Sequence, residues 1–255
     1  MEFIDTHTHY YLEHFDSDRE EVMNDCLQSG VKKMLLPNID SHSLKPMLEI
    51  CKQYPLHCYP MLGLHPSDVK ENYQEELDAI LEQFDKNTFI AIGEVGMDLY
   101  WDRTFIREQE IVFRQQIDFA LRFDLPVVIH SRKSFAEILA ILNEYSKHSL
   151  KGVFHCFSGD IHQAKKVIEK GFYLGIGGTI TYKNSGIQHV VKEIPLNHLL
   201  LETDAPFLPP VPHRGKRNQS SYIPIIASHI AKIKEITLEE VAATTTKNAT
   251  ILFKI

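Results

Sequence analysis

The chain has 255 residues, of which 44% are hydrophobic, 24% charged and 10% aromatic. This balance is that of a globular protein and excludes a disordered, collagen-like or disulfide-framed chain. Asp and Glu total 34 against 27 Lys and Arg, a net charge of −7, which argues against a broad basic surface for coating nucleic acid or an anionic membrane.

In chain order, short apolar runs alternate with longer amphipathic stretches. Strands are predicted at 2–6, 33–37, 57–62, 89–94, 126–130, 152–155, 172–175 and 199–202. Helices are predicted between them at 18–29, 43–54, 73–84, 106–123, 134–147, 161–170 and 186–193, and two more at 222–234 and 238–252 close the chain. The run Pro126-Val127-Val128-Ile129 is apolar at every position, the mark of a strand covered on both faces, as in a parallel sheet under helices. Eight β-then-α units in about 250 residues fit an α/β protein built as a (β/α)8 TIM barrel, a single domain over 1–255. A doubly wound open sheet would place a glycine-rich loop after the first strand, and Thr6-His7-Thr8-His9 stands there instead.

No apolar run approaches the ~18 residues that span a bilayer, and the run 199–201 is cut by Glu202 and Asp204. The start, Met1-Glu2-Phe3-Ile4-Asp5, lacks the basic-then-apolar pattern of a secretory leader. Cys26, Cys51, Cys58 and Cys156 form no CxxC pair and read as free thiols, so a cytoplasmic protein is expected.

The unusual count is histidine, at 14. His7 and His9 close the first predicted strand two residues apart and so point the same way. Glu94 ends the fourth, His130 the fifth and His155 the sixth, and Asp204 follows the eighth. Taken singly, each reads as a hydrogen-bonded structural residue, a salt-bridge partner or a turn cap. Together they put four imidazoles and two carboxylates at the same end of five strands, where a barrel gathers its chemistry at one mouth. That set matches the ligand demand of two divalent ions; its imidazole content favours zinc or manganese, with magnesium possible in one half-site.

These residues sit in motifs that resemble the TatD-type metal-dependent hydrolases and deoxyribonucleases of the amidohydrolase superfamily. The motifs are Phe-Ile-Asp-Thr-His-Thr-His (3–9), Gly-Leu-His-Pro (63–66), Ile-Gly-Glu-Val-Gly-Met-Asp (92–98), Val-Ile-His-Ser-Arg (128–132), Gly-Val-Phe-His-Cys-Phe-Ser-Gly (152–159), Leu-Glu-Thr-Asp-Ala-Pro-Phe-Leu-Pro-Pro (201–210) and Arg-Gly-Lys-Arg-Asn (214–218). The resemblance implies a (β/α)8 barrel in which His7, His9 and Asp204 hold one metal, His130 and His155 the other, and Glu94 bridges them. Asp204 is also the candidate proton acceptor, and Glu202, deeper on the same strand, is expected to orient a ligand histidine.

Substrate contacts are expected from His65, Asp98 and Arg132, and from Arg214, Lys216, Arg217 and Asn218 after the eighth strand, where guanidinium groups suit phosphate oxygens. Tyr100 and Trp101 are candidates for base stacking or for packing at a helix start. The leading function is phosphodiester hydrolysis, which the resemblance narrows to trimming of DNA from its 3′ end, with the strand bound locally at the mouth. Hydrolysis of a carboxylic ester or amide, as in an aminoacyl-tRNA deacylase, is the second reading, and a non-enzymatic metal-binding protein a distant third. No membrane contact and no obligate protein partner are expected.

Overall fold

The computed structural model describes residues 1–255. Eight parallel strands line its centre: β1 (Phe3–Asp5), β2 (Val31–Pro37), β3 (Cys58–Met61), β4 (Ile92–Asp98), β5 (Val127–Arg132), β6 (Gly152–Phe154), β7 (Phe172–Ile176) and β8 (Leu199–Leu201). Helices α1 (Arg19–Gln28), α2 (Ser41–Gln53), α3 (Tyr73–Leu81), α4 (Ile106–Arg122), α5 (Phe135–Glu144), α6 (Ile161–Glu169) and α7 (Ile187–Glu193) follow the first seven strands in turn. Helices α8 (Ile223–Lys234) and α9 (Leu238–Phe253) complete the chain. Side-chain caps set several helix starts: Asp40 with Ser43 opens α2, Asp160 with Gln163 opens α6, and Thr237 with Glu240 opens α9.

The strands pair in order as two parallel sheets, β1-β2-β3 and β4-β5-β6-β7-β8. Backbone hydrogen bonds cross both seams between them. At one seam Ile90 N–H donates to the Pro60 carbonyl, Leu62 to Ala91 and Gly93 to Leu62. At the other, Thr6 N–H donates to the Leu201 carbonyl, Asp204 to His7 and His9 to Ala205. The strands therefore make a (β/α)8 ring with its helices outside.

Burial follows the pleat. Ile4, Leu35, Met61, Ala91, Val128, Val153 and Leu200 form one apolar cluster together with Ala249, Leu252 and Phe253 of α9, so α9 covers the floor of the ring. A second cluster of 57 buried residues fills the layer between strands and helices. No helix is long and apolar enough to cross a membrane.

All the predicted strands and helices are present, but the fourth strand is shifted. It was expected at 89–94 and runs Ile92–Asp98, so Glu94 lies within it rather than at its end. Likewise β5 continues past His130 to Arg132. The charged residues suggested strand ends, whereas here the mouth buries charges against one another and both strands extend together, with Gly96 beside His130 and Asp98 beside Arg132. Gly96 has φ 131°, and a Cβ there would meet the His130 carbonyl oxygen at 2.2 Å, so only glycine lets the two strands lie this close.

Candidate metal centre and active site

The six ligand-type residues meet at one mouth of the ring. His7 and His9 follow β1, Glu94 lies on β4, His130 on β5, His155 directly after β6 and Asp204 three residues after β8. Asp204 takes a left-handed backbone conformation (φ 58°), which aspartate tolerates better than most residues and which turns the chain at this point.

Glu94 is at the centre. Its Oε2 is 3.1 Å from His7 Nε2 and 3.8 Å from His9 Nε2. Its Oε1 is 2.7 Å from His130 Nδ1 and 3.6 Å from His155 Nε2. Asp204 Oδ1 lies 3.8 Å from His7 Nε2, 3.6 Å from His9 Nε2 and 3.8 Å from His155 Nε2. The rings of His7 and His155 stack with centroids 3.5 Å apart.

The far side of each ring decides what its near side offers. Tyr11 Oη donates to the Pro37 carbonyl, so its oxygen accepts from His9 Nδ1–H at 3.1 Å and leaves His9 Nε2 as a bare lone pair. His155 Nδ1 lies 3.1 Å from Glu202 Oε1, an ion-pair distance without hydrogen-bond alignment, and its Nε2 faces Glu94 and Asp204. His130 is reversed: its Nε2 donates to Asp98 Oδ2 at 3.0 Å, and Nδ1 faces Glu94. His7 Nδ1 is buried without a partner, while its Nε2 lies 3.3 Å from His9 Nε2. Imidazole lone pairs turned toward one another and toward two carboxylates repel unless a cation stands among them. This donor set therefore fits divalent metal, and two of the possible ligand groups are His7, His9 and Glu94, and His7, His155 and Asp204.

Without an ion, protons take its place on two of the rings. Burial opposes charge on these groups, yet the surrounding carboxylates of Glu202, Glu94 and Asp204 hold His155 up at about 10. Burial opposes His130 as well, and Asp98 and Glu94 hold it up at about 9. Against the same burial, His155 and His7 keep Glu94 well below the usual carboxylate range, and His155 with His9 keeps Asp204 below it. Burial and the His155 charge push His7 down.

His65 also reaches this cluster, with Nε2 3.5 Å from Glu94 Oε1 and 3.3 Å from His130 Nδ1. Ser67 N–H donates to its Nδ1, so the proton sits on Nε2 and points into the mouth. His65 is thus a hydrogen-bond donor there and not a metal ligand in this tautomer. Glu202 is almost fully buried, accepts from Cys156 N–H at 2.5 Å and braces His155. Its carboxyl packs on Gly175, where a Cβ would meet Oε2 at 2.2 Å.

Asp98 was expected to meet substrate, but both its oxygens are committed: Oδ2 to His130, and Oδ1 to the backbone N–H groups of Tyr100 and Trp101. In the basic loop, Arg217 forms two hydrogen bonds to Asp18 and one to the His14 carbonyl, with its guanidinium over Phe15. Asn218 is buried and donates to the Thr203 and Phe207 carbonyls. Both hold the loop, because α1 and the β8 turn lie within their reach. Arg214 and Lys216 are exposed and form no ion pair, Arg214 lying over the Tyr182 ring at 4.4 Å. Arg132 is exposed and also lacks an acidic partner. Tyr11 was missed in the sequence, although it follows His9 by the same two-residue spacing that singled out His7 and His9.

A family model described as TatD related DNase matches residues 4–254. The chain belongs to this family. Among TatD relatives, it is 39% identical over 253 residues to the uncharacterized metal-dependent hydrolase YabD of Bacillus subtilis, covering 99% of each chain. It is 31% identical over 247 residues to the 3′-5′ ssDNA/RNA exonuclease TatD of Salmonella typhimurium, covering 94% of this chain and 95% of that one. Its fold matches the crystal structure of the TatD homologue YJJV from Escherichia coli with a TM-score of 0.90 at 31% identity, over 99% of this chain and 98% of that one. Like the TatD relatives so named, it is a metal-dependent hydrolase.

Proposed function

We propose that this protein is a divalent-metal-dependent phosphodiesterase that trims DNA from its 3′ end, using two ions held at the barrel mouth. His7, His9 and Asp204 would hold one ion and His130 and His155 the other, with Glu94 placed between them. The observation that carries this reading is the convergence of four imidazole nitrogens on Glu94 and Asp204, with Tyr11, Asp98 and Glu202 behind three of the rings. Its imidazole content favours zinc or manganese over magnesium. When bound, such ions supply Lewis acidity toward a phosphoryl oxygen and bring the pKa of water near neutrality.

The chain's own residues do the rest. Asp204 stays ionised and has the most exposed side chain of the cluster's carboxylates, 15% against 3% for Glu94, so it can reach a water in the mouth. It takes the proton as the water oxygen bonds to phosphorus, and the bond from phosphorus to the leaving sugar oxygen breaks. The proton then passes to that oxygen. The His65 Nε2–H, at the edge of the mouth beside Glu94 and His130, is a donor available to a phosphoryl oxygen, and Arg132, Arg214 and Lys216 offer cations with no internal acid to satisfy. The nucleic-acid reading is supported by the name of the Salmonella relative.

The test is an assay panel on protein stripped of metal and then reconstituted with zinc, manganese or magnesium. Single-stranded DNA, RNA, bis(p-nitrophenyl) phosphate and an aminoacyl ester are compared. Metal-dependent release of nucleotides from the 3′ end supports the proposal. Turnover of the ester alone would replace it with the carboxylic-ester reading.

A further inference from the structure

A cavity of about 680 Å³ opens beside His155, between the loops that follow β5 and β6. This is within the size range of small-molecule sites. Phe135, Phe154 and Phe157 line it, with Ser158, Glu137 and Gln163 as polar groups. The Gln163 side-chain oxygen is taken by the Asp160 N–H, which leaves its amide hydrogens free to donate. Tyr100, Arg132 and Lys133 also line the cavity. The Arg132 guanidinium lies 4.3 Å from the Tyr100 ring centre and 5.0 Å from that of Trp101. Both rings are unusually bare for their type, Tyr100 52% and Trp101 69% exposed. Asp98 pins the backbone of both while it holds His130.

An arginine with no acidic partner, fixed over two exposed aromatic rings and two residues beyond a metal-ligand candidate, is ready for a phosphate. An apolar recess with hydrogen-bonding groups at its wall suits a flat heteroaromatic ring. We infer that this cavity seats one unpaired nucleobase of the substrate strand, with Arg132 on its flanking phosphate and the exposed Trp101 ring, edge to face with Tyr100, as the shelf on which the neighbouring base stacks. The inference rests on the phosphodiesterase reading and adds a nucleobase-recognising subsite to it. The strand then runs from the mouth along β5 toward α5. Duplex ends are excluded from the recess because a paired base cannot enter it.

Trp101 is the single tryptophan of the chain, so its fluorescence reports on this shelf alone. Metal-free protein is titrated with a short oligothymidylate and with an abasic strand carrying the same phosphates. The oligothymidylate should quench Trp101 and bind at least about tenfold more tightly than the abasic strand, as stacking of one or two bases on aromatic rings implies. Ala136→Phe, an exposed position of α5 on the cavity wall, fills the recess without adding a fluorophore that competes with tryptophan. It should weaken oligothymidylate binding about tenfold. With metal restored, it should lower kcat/KM for the oligothymidylate at least tenfold more than for bis(p-nitrophenyl) phosphate. Equal binding of abasic and base-bearing strands, or an unchanged ratio of the two kcat/KM values in Ala136→Phe, would overturn the subsite while leaving the phosphodiesterase standing. Absence of any phosphodiester hydrolysis by the reconstituted wild type, with quenching by the oligothymidylate intact, would overturn the enzymatic reading and not the subsite.

Discussion

Gly175→Ala tests whether the centre depends on the residue behind it. Gly175 lies on β7, far from every ligand along the chain. Yet an alanine Cβ would come within 2.2 Å of Glu202 Oε2, 2.7 Å of its Cδ and 3.0 Å of Oε1. Ordinary contact needs about 3.5 Å, so the carboxyl must withdraw by roughly 1 Å. It has no room to do so and keep both its ion-pair contact with His155 Nδ1 at 3.1 Å and its hydrogen bond from Cys156 N–H at 2.5 Å. Loss of such an outer partner typically lowers metal affinity or activity by about 10–100-fold. Overpacking a full core by one methyl costs about 1–3 kcal/mol, which in a chain of this length lowers the melting temperature by roughly 2–6 °C. The assay pairs zinc affinity by competition with a chromogenic chelator against thermal melting. The double variant Gly175→Ala/Glu202→Asp separates the two effects. The shorter side chain relieves the clash, so stability should return, but it no longer reaches His155, so affinity should not. Zinc affinity and turnover of Gly175→Ala within twofold of wild type would refute the bracing role of Glu202.

Asp204→Asn keeps the volume and removes the charge and the basicity; turnover should fall at least about a hundredfold with circular dichroism unchanged, and near-normal turnover would remove Asp204 from the proton transfer. Arg217→Ala should cost about 1 kcal/mol or less, because its pair with Asp18 is partly exposed, and should leave the salt dependence of DNA binding as it is in wild type. Arg217 holds the Asp18 carboxyl below its ordinary value, so this stability is present above the usual carboxylate range and is lost as pH falls through the lowered value. The melting difference between wild type and Arg217→Ala should therefore close on acidification; a difference that persists at low pH would assign the loss to packing on Phe15 instead. Zinc at a hundredfold excess over its dissociation constant should raise unfolding free energy by about 2.7 kcal/mol over chelated protein, and no shift in melting on loading would argue against a native site.

Much of this architecture is legible in the sequence because barrel strands are buried on both faces. A run such as 126–129 then shows no alternation and announces itself. His7 and His9 are legible for a related reason, since two imidazoles on one face beside a buried strand have no packing value. What the sequence conceals are relations across the ring. Glu94 seemed to end a strand because a carboxylate is not expected within one, and only the five imidazoles around it make its burial tolerable. Arg217 reads as a phosphate contact until Asp18, on the other side of the β8–β1 seam, is seen to hold it. The roles of Asp98 and Gly175 depend in the same way on neighbours contributed by other strands, and no local pattern carries that information.

The two seams of the ring have a consequence for when the centre can exist. His7 and His9 belong to the three-stranded sheet, and Glu94, His130, His155 and Asp204 to the five-stranded one or its turns. Thr6 and Leu201, 195 positions apart, must already be joined before His7 can face Asp204. An ion seated among these side chains would therefore clasp the two sheets together across the β8–β1 seam. Hydrogen exchange at the Thr6, His9 and Asp204 amides should slow on metal loading more than exchange within β5 and β6. The cation would then serve as a lock on the ring as well as a reagent in its mouth.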